Sequence, residues 1–401
     1  MTYELFAPGP DRAVPATEVR GDRGDPLAFH QGMPGYLPTP LLDCPGLAAA
    51  MGVRTVLVKD ESSRLGLPSF KMLGASFATA RAIQREWLGR PGEALTLDGT
   101  RAALAGNGGR RLVAATDGNH GRGVARMARI LGLACTIFVP AGTAQSRIDD
   151  IETEGAAVHV VPGTYDDAIA RSAVEAADDS LVISDTSWEG YTRTPVDVTY
   201  GYSTMFREIE QALARAGRPV PDVVCFQAGV GSFAAAGLQH FRPDPRARSP
   251  RTVIVEPAAA NCLMRSARQG LMTPAPGPHP STMAGLNCGL PSIQAWPIVF
   301  AAADAYLAVD DESAHRAMRL MAEAGVVAGE SGAASLGALI DASTSDADRR
   351  TLGLDPQASV LVVNTEGATD PVNYRRQVGT DASDVARTGA DRRLRTGVVT
   401  L

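Results

Sequence analysis

Short apolar runs alternate with helical stretches along most of this chain, and this alternation restricts its fold more than any other feature. The runs are rich in valine, isoleucine and leucine and are bounded by glycine, proline or aspartate, which is typical of strands buried on both faces. Alternating strands and helices favour a doubly wound, mostly parallel α/β fold. We predict strands at residues 55–60, 111–116, 135–140, 157–162, 180–185, 222–227, 252–257 and 359–364.

Helical periodicity separates these strands, and two other segments lack any regular period. Residues 88–110 mix glycine, proline, aspartate and asparagine, and we expect an exposed insertion there. Residues 272–292 are rich in proline and glycine, and a loop of that length in an α/β enzyme is usually functional or disordered. We predict helices at residues 119–132, 165–177, 199–216, 232–241 and 311–325.

Composition indicates a soluble globular protein with a sizeable core. The chain has 401 residues, 45% hydrophobic and 20% charged, which is enough for two or three domains. A net charge of −6 without a long basic run argues against nucleic acid or an anionic membrane as partner. We expect no secretory signal, because the first residues lack a basic start followed by an apolar stretch, and no apolar run approaches the roughly 18 residues of a membrane helix. We therefore expect a cytoplasmic protein, with a solvated basic tail after Arg375.

The cysteines show no CxxC spacing, and we expect reduced thiols that mostly serve packing. Cys262 and Cys288 both lie in loop-like sequence, so a redox-sensitive pair is the alternative. Sequence alone does not place two Cα atoms within bridging range. We predict no metal site. The five cysteines are Cys44, Cys135, Cys225, Cys262 and Cys288.

Lys71 lies in the segment SFKMLGAS, at the expected start of a helix. Burial or a neighbouring cation lowers the pKa of a lysine amine and makes imine formation with an aldehyde possible. Ser69 is placed to cap the helix through its hydroxyl, and Phe70 to wall a pocket. Taken alone, the segment favours an ordinary surface lysine. The glycine-rich turns downstream reverse that interpretation.

The turn QAGVGS follows the predicted strand 222–227. Gly229, Val230 and Gly231 leave backbone N–H groups to face an anion, and Ser232 adds a hydroxyl at a helix N-terminus, where the macrodipole favours phosphate. An imine-forming lysine and a phosphate turn together indicate pyridoxal phosphate as the cofactor. The alternative is a dinucleotide, because G-x-G-x-x-A with Glu256 ending the next strand imitates that fingerprint. That alternative leaves the lysine unexplained.

The turn TDGNHGRGVA follows strand 111–116 and opens a helix. Asn119 is a candidate hydrogen-bond donor to the phenolic oxygen of the cofactor. Asp117 lies at the strand end, where a carboxylate can meet a substrate. The alternative is an ordinary turn in which one of these side chains caps the helix. We expect a packing or hydrogen-bonding role for His120 rather than a catalytic one.

Two further strand ends carry candidate site residues. In DTSWEGY, Asp185 offers a second carboxylate, and Trp188 and Tyr191 are placed to close a pocket or to pack under a lid. In NTEGATDP, Asn364 and Thr365 are candidates for contact with the pyridine nitrogen of the cofactor. A neutral partner there leaves the nitrogen unprotonated, which suits β-elimination.

These segments resemble the diaminopropionate ammonia-lyases, within the fold type II pyridoxal phosphate enzymes. The resemblance runs from about residue 30 to about residue 375. It implies a large cofactor-binding domain at residues 1–85 and 205–401, a small inserted α/β domain at residues 86–204, and a homodimer. The matching motifs are SFKMLGAS, ATDGNHGRGVA, DTSWEGY, QAGVGS, AGLNCG, GESGAA and NTEGATDP.

The resemblance implies α,β-elimination of 2,3-diaminopropionate to pyruvate and ammonia. Lys71 would be the imine lysine, and Asp117 and Lys71 would remove the α-proton from opposite faces, which acceptance of both enantiomers requires. Asp185 would bind or protonate the leaving amine. The chain departs from the family pattern where Ser, Asp and Glu are usual, at Asn364, Ala368 and Leu290 respectively.

Other activities stay open from the residues. One is a dehydratase or β-replacement enzyme acting on serine, threonine or another β-substituted amino acid. A nicotinamide-dependent oxidoreductase would use the Gly-Val-Gly-Ser turn instead. A protein that binds the cofactor without turnover is the last alternative, although the presence of Asp117 and Asp185 disfavours it.

Overall fold

The computed structural model describes residues 3–9, 24–90, 93–105, 109–116, 118–244 and 250–401. The chain divides into two compact units. The first unit contains the N-terminal strand, Pro38–Ser63 and Met205–Leu401. The second contains residues 24–37 and Arg64–Thr204.

Regular structure accounts for most of both units. The strands of the described ranges are β1 (Tyr3–Phe6), β2 (Leu41–Asp43), β3 (Thr55–Asp60), β4 (Arg111–Ala115), β5 (Ala134–Pro140), β6 (Ala157–Val161), β7 (Ser180–Val182), β8 (Val223–Gln227), β9 (Arg251–Pro257), β10 (Ala305–Val309), β11 (Ser359–Asn364) and β12 (Val399–Thr400).

The α-helices of the same ranges are α1 (Pro26–Gln31), α2 (Pro45–Met51), α3 (Lys71–Ala82), α4 (Leu97–Leu104), α5 (Asn119–Leu131), α6 (Gln145–Glu152), α7 (Tyr165–Ala173), α8 (Arg193–Gly201), α9 (Ser203–Arg215), α10 (Ser232–Phe241), α11 (Cys262–Gln269), α12 (Trp296–Ala302), α13 (Asp311–Glu323), α14 (Glu330–Ala342), α15 (Asp346–Leu352), α16 (Pro371–Val378) and α17 (Ala382–Thr396). A π-helical turn, Ile83–Trp87, continues α3. Within these ranges no helix is both long and apolar enough to cross a membrane.

Each unit has its own sheet. The first unit holds eight strands in the order β1-β10-β9-β8-β11-β3-β2-β12, parallel from β10 to β3 and antiparallel at both edges. The second unit holds a fully parallel sheet in the order β6-β5-β4-β7. Helices separate the parallel strands along the chain, so the predicted doubly wound α/β class is confirmed.

Every predicted strand is present, but its ends shift where the backbone leaves the sheet. The largest shift is at 180–185, because β7 ends at Val182 and the next three residues lead into the site. Sequence reasoning missed β1, β2, β10 and β12. Three of these, the edge strands β1 and β12 and the adjacent β2, have two to four residues, and their apolar pattern is too brief to detect. The fourth, β10, follows the apolar helix α12 almost directly, and the two merge into one apolar stretch.

Three predictions of local structure were wrong. Helix 199–216 is two helices, α8 and α9, because Tyr202 interrupts the first. The expected insertion 88–110 contains α4, which Thr96 caps by accepting from the N–H of Gly99. The expected basic tail after Arg375 is ordered as α17 and β12, and β12 pairs with β2.

The observed units also divide the chain differently from the predicted domains. Both divisions change after residue 204, but residues 24–37 and 64–85, which the predicted large domain includes, belong to the second compact unit. The reason is the packing of α3 against α5 and α8. Gly74 lies so close to α8 that a Cβ there would come within 2.7 Å of Val198, and a Cβ on Gly123 of α5 would come within 3.0 Å of Ala75.

Candidate active site

Lys71 is the first residue of α3, as its sequence context predicted. The Ser69 hydroxyl accepts a hydrogen bond from the Lys71 backbone N–H at 3.2 Å. Phe70 is buried and its ring packs on Tyr202, with the centroids 4.7 Å apart. The Lys71 ammonium lies 5.6 Å from the Phe70 centroid and contacts the carboxylate of Asp185. The local sequence thus places the amine against a carboxylate that follows β7.

The chain contains only two lysines, Lys59 and Lys71. Lys59 is 1% exposed, and its ammonium is held by Glu208 at 2.6 Å and by the carbonyl oxygen of Thr39 at 2.7 Å. The Lys71 side chain is 20% exposed. Only Lys71 therefore combines a primary amine with access for a ligand. The count of lysines is a sequence signal that motif reasoning overlooked.

Asp185 is buried, and its carboxylate contacts the Lys71 ammonium and accepts from the Tyr165 hydroxyl at 3.1 Å. Burial alone would raise the pKa of Asp185. The positive charge of Lys71, together with the hydrogen bonds from Lys71 and Tyr165, outweighs burial and holds the pKa well below its usual range. The carboxylate is ionised at neutral pH. Tyr165 begins α7, and no sequence motif marked it.

His120 lies on the first turn of α5 and is buried. Its Nε2 is 2.8 Å from the carbonyl oxygen of Ile183, so Nε2 carries the proton. Burial lowers the pKa of His120, which leaves the imidazole neutral. Its Nδ1 is buried without a hydrogen-bond partner in the described part of the chain. Such an unsatisfied acceptor is typical of a place where a ligand or water completes the bonding.

The remaining candidates of this turn are only partly defined. Asn119 is the first residue of α5, four positions after the end of β4 at Ala115. Asp117 lies outside the described residues, so its position relative to Lys71 stays a prediction. Gly121 fits because a Cβ there would come within 2.9 Å of Ile137, and α5 therefore needs glycine to approach β5.

Turn 229–232 follows β8 and leads into α10, in the first unit. Gly231 has φ +98°, a left-handed conformation that favours glycine. The N–H groups of Gly229, Val230 and Gly231 donate to no acceptor among the described residues. These donors and the N-terminus of α10, which Ser232 opens, form a cradle suited to an anion.

Both loop cysteines lie beside this turn. The Cys262 thiol is 3.8 Å from the carbonyl oxygen of Gly229, and a Cβ on Gly229 would come within 2.8 Å of the Cys288 sulfur. All five cysteines are free and buried. Cys262 and Cys288 thus limit the space behind the turn, and only glycine fits at 229.

Glu256 does not play the part that dinucleotide binding requires. Its two carboxylate oxygens accept from the N–H groups of Leu263 and Met264, each at 2.8 Å, and so cap α11. The side chain is fully buried, and burial raises the pKa of Glu256 to about 8. A carboxylate enclosed in this way cannot reach a ribose.

Asn364 and Thr365 end β11, next to β8 in the sheet. The Asn364 amide donates to Asp60 at 2.8 Å and to the carbonyl oxygen of Val327 at 2.9 Å, which uses both of its N–H bonds. The Thr365 hydroxyl accepts from the Gln227 amide at 2.9 Å. The Thr365 O–H proton is left to donate. Sequence reasoning missed Gln227, which reads as an ordinary strand end.

The aromatic pair of DTSWEGY is arranged for packing. The rings of Trp188 and Tyr191 are stacked with centroids 4.2 Å apart. The Tyr191 hydroxyl donates to the carbonyl oxygen of Val182 at 2.6 Å and accepts from the N–H of Ser184 at 3.1 Å. These bonds brace the segment that carries Asp185.

An amine beside an ionised carboxylate, and a glycine-rich anion turn at a strand end, define a pyridoxal phosphate enzyme. The chain belongs to the pyridoxal-phosphate dependent enzyme family, whose model matches residues 33–366. The predicted cofactor and enzyme class are confirmed.

Within that family, the chain is similar to the diaminopropionate ammonia-lyases. Diaminopropionate ammonia-lyase of Escherichia coli (strain K12) is 37% identical over 362 residues, covering 87% of this chain and 89% of that protein. The crystal structure of the Escherichia coli enzyme in complex with D-serine matches with a TM-score of 0.85 at 33% identity, covering 94% of this chain and 97% of that one. Its complex with an aminoacrylate-PLP azomethine reaction intermediate matches with a TM-score of 0.81 at 32% identity, over the same shares. The predicted family and fold are confirmed.

Proposed function

We propose that this enzyme converts 2,3-diaminopropionate to pyruvate and ammonia by α,β-elimination. Relatives of that name align with most of the chain. The observation that carries the proposal is the contact between Lys71 and Asp185. It pairs the one accessible lysine with a carboxylate that stays ionised at neutral pH. Such a carboxylate can bind the second ammonium group that distinguishes 2,3-diaminopropionate from serine.

The residues present fit pyridoxal phosphate. The N–H groups of Gly229, Val230 and Gly231, which donate to no acceptor among the described residues, match a phosphate, and the Nδ1 of His120 has no partner in the same part of the chain. When bound, the cofactor supplies an electron sink for the negative charge that develops at the substrate α-carbon. We assign the covalent attachment of the cofactor to Lys71, the wall beside its ring to Phe70, and the hydrogen bond to its phenolic oxygen to Asn119. Its phosphate is assigned to Gly229, Val230, Gly231 and Ser232.

Thr365 is assigned the contact with the ring nitrogen. Its hydroxyl accepts from Gln227, which orients the O–H bond outward as a neutral donor. Asn364 is also assigned to the binding of the cofactor ring. Its hydrogen bonds to Asp60 and Val327 indicate that it acts by holding the end of β11 in place.

Two groups are assigned to proton transfer at the α-carbon. Lys71 removes the proton from one face and Asp117 from the other, so that both enantiomers react. The arrangement predicts that loss of the carboxyl at 117 affects one enantiomer far more than the other.

Asp185 is assigned to the leaving amine. In the structure its charge is neutralised by Lys71. With its amine holding the cofactor, Lys71 would no longer pair with Asp185 as a free ammonium, and the carboxylate would need another cation. The β-ammonium of diaminopropionate supplies one through a charge-assisted hydrogen bond. The departures at Ala368 and Leu290 leave fewer acidic side chains for the substrate, which makes Asp185 the principal anion.

The deciding experiment is an assay of pyruvate and ammonia from D- and L-diaminopropionate, with serine and threonine in the same panel. Turnover of diaminopropionate above the other substrates is expected. Preferred turnover of serine or threonine would instead establish a dehydratase. Turnover that requires an added nucleophile as co-substrate would establish a β-replacement enzyme. Asp117→Asn should lose one enantiomer, and intact turnover of both would contradict the two-base assignment.

Attachment to Lys71 is tested by reducing the holoenzyme with borohydride and mapping the labelled peptide. Since only two lysines exist, Lys59→Arg is a matched control that should keep the label on Lys71. Lys71→Ala should carry no reducible cofactor. A label that persists in that variant would refute the assignment.

We further propose that the enzyme is a cytoplasmic homodimer. The resemblance to the ammonia-lyase family supports the dimer. Light scattering on the purified protein tests it, and a mass of 41.9 kDa, that of one chain, would exclude it.

A further inference from the structure

A cavity of about 550 Å³ lies entirely within the second unit, and none of the candidate catalytic residues lines it. It is formed by the end of α3 with its π-helical turn, by β7, and by the segment that leads into α8. Lys71 is sixteen residues before Trp87 on the same helical run, which corresponds to roughly 20 Å. We call this space the Arg110 cavity. Its chief lining residues are Arg85, Trp87, Arg110, Ser180, Tyr191 and Arg193.

Two of its guanidinium groups lack the partners that buried or clustered cations normally have. Arg110 stacks on Trp87, with Cζ 4.8 Å from the ring centroid. Its Nη1 is buried and has no hydrogen-bond partner in the described chain. Arg193 forms no ion pair with any described residue and is exposed. By contrast, each of the three nitrogens of the Arg85 guanidinium donates a hydrogen bond, to Glu86, Asp197 and Thr194 respectively.

A buried hydroxyl adds a second unsatisfied donor. Ser180 is 2% exposed, and its Oγ has no hydrogen-bond partner among the residues that the structure describes. A buried polar group without a partner is uncommon because desolvation without a hydrogen bond costs free energy. Ser180 and Arg110 line the same cavity, so one ligand can satisfy both.

The charges of the wall favour an anion. Glu86 is paired with Arg85, which leaves exposed Asp178 as the one carboxylate set against the unpaired Arg110 and Arg193. The stacked guanidinium presents its N–H edge in the plane where carboxylate or phosphate oxygens bind in pairs. The volume lies within the usual range for small-molecule sites, about 300–1,000 Å³.

We propose that the Arg110 cavity is a binding site for a small molecule with a carboxylate or phosphate head, separate from the cofactor. Arg110 and Arg193 bind the oxyanion, and Ser180 donates its hydroxyl. Trp87 holds the Arg110 guanidinium flat. The site does not depend on which amino acid the enzyme converts.

The test is a titration of the holoenzyme, whose own phosphate turn is occupied, with sodium phosphate and separately with sodium acetate. Tryptophan fluorescence is followed at constant ionic strength maintained with sodium chloride. A saturable change is expected, and Trp87→Phe should diminish it, because Trp87 stacks directly on Arg110 whereas Trp188 contacts the cavity wall only through Tyr191. The anion that saturates at lower concentration identifies the head group. A linear change that chloride reproduces would overturn the proposal.

Variants assign the binding to the cavity. Arg110→Gln should raise the dissociation constant at least about tenfold, as expected for loss of a charged hydrogen-bond partner. Arg395→Gln removes an exposed arginine of α17 and is the matched control, with affinity unchanged. Equal affinities in these two variants would overturn the proposal. If Arg110→Gln lacks the visible spectrum of the folded holoenzyme, Ser180→Ala decides, because an unchanged affinity there contradicts the site.

Discussion

The ammonium of Lys71 and the carboxylate of Asp185 are in direct contact, although 114 positions separate them in the chain. One begins α3 and the other follows β7, in the same unit. The contact keeps Asp185 ionised, and it places an amine and an anion where a cationic amino acid can be bound. The first prediction concerns this pair.

Asp185→Asn is expected to lower kcat for diaminopropionate by about 100-fold, in the range for loss of a positioned acid–base or charge partner. Serine has no β-ammonium, so its slower turnover should fall less. The measurement is pyruvate release from both substrates. Asp179→Asn, exposed in the same unit, is the control and should match the wild type. An equal loss on both substrates would show that Asp185 acts only through Lys71.

Asn364 and Thr365 are neighbours with different expected roles. Thr365→Val removes the hydroxyl proposed to face the ring nitrogen, so the visible absorption of the cofactor should shift. Asn364→Ala removes one donor each from Asp60, which keeps the N–H of Ser62, and from the Val327 carbonyl, and the free energy of unfolding should fall by about 2 kcal/mol. The spectrum of that variant should be unchanged. A shifted spectrum in Asn364→Ala would instead assign a direct contact to Asn364.

Glu256 predicts a pH dependence of stability. Its folded pKa of about 8 lies above the ordinary value of 4.5, so the folded state holds a proton that the unfolded state loses between these values. Stability should therefore fall as pH rises from about 5 to about 8, by on the order of 3 kcal/mol.

Chemical unfolding of the wild type and Glu256→Gln across this range measures the effect. The variant should be less stable at low pH, because its Nε2 cannot accept from a backbone N–H. Its pH slope should be flatter. Parallel curves for the two proteins would show that Glu256 titrates normally.

Gly74 tests whether the close approach of α3 to α8 is required. An alanine there would overlap the Tyr202 ring and approach Val198 at 2.7 Å, so we expect a loss of about 1–3 kcal/mol from overpacking. Gly46→Ala is the matched control, because Gly46 is also helical and its Cβ would meet nothing within 4 Å. That change should be neutral or stabilising by up to about 1 kcal/mol. Thermal unfolding of both variants checks the prediction, which a stable Gly74→Ala would contradict.

Sequence reasoning succeeded where the signal is local. Lys71 at a helix start and turn 229–232 before α10 were both found in this way. It failed for Tyr165, Gln227 and the cap at Glu256, because each acts through a partner that is remote or off-motif. No spacing in the chain announces such contacts.

By itself, the sequence determined the buried strands, the glycine turns and the candidate lysine, because backbone freedom, side-chain shape and hydrophobic burial act over a few neighbouring residues. Only the tertiary structure decided that Lys71 meets Asp185, that Asn364 spends its amide on Asp60, and that Glu256 caps a helix. Such pairings depend on how separate strands and helices pack, and packing brings together residues that the chain holds far apart.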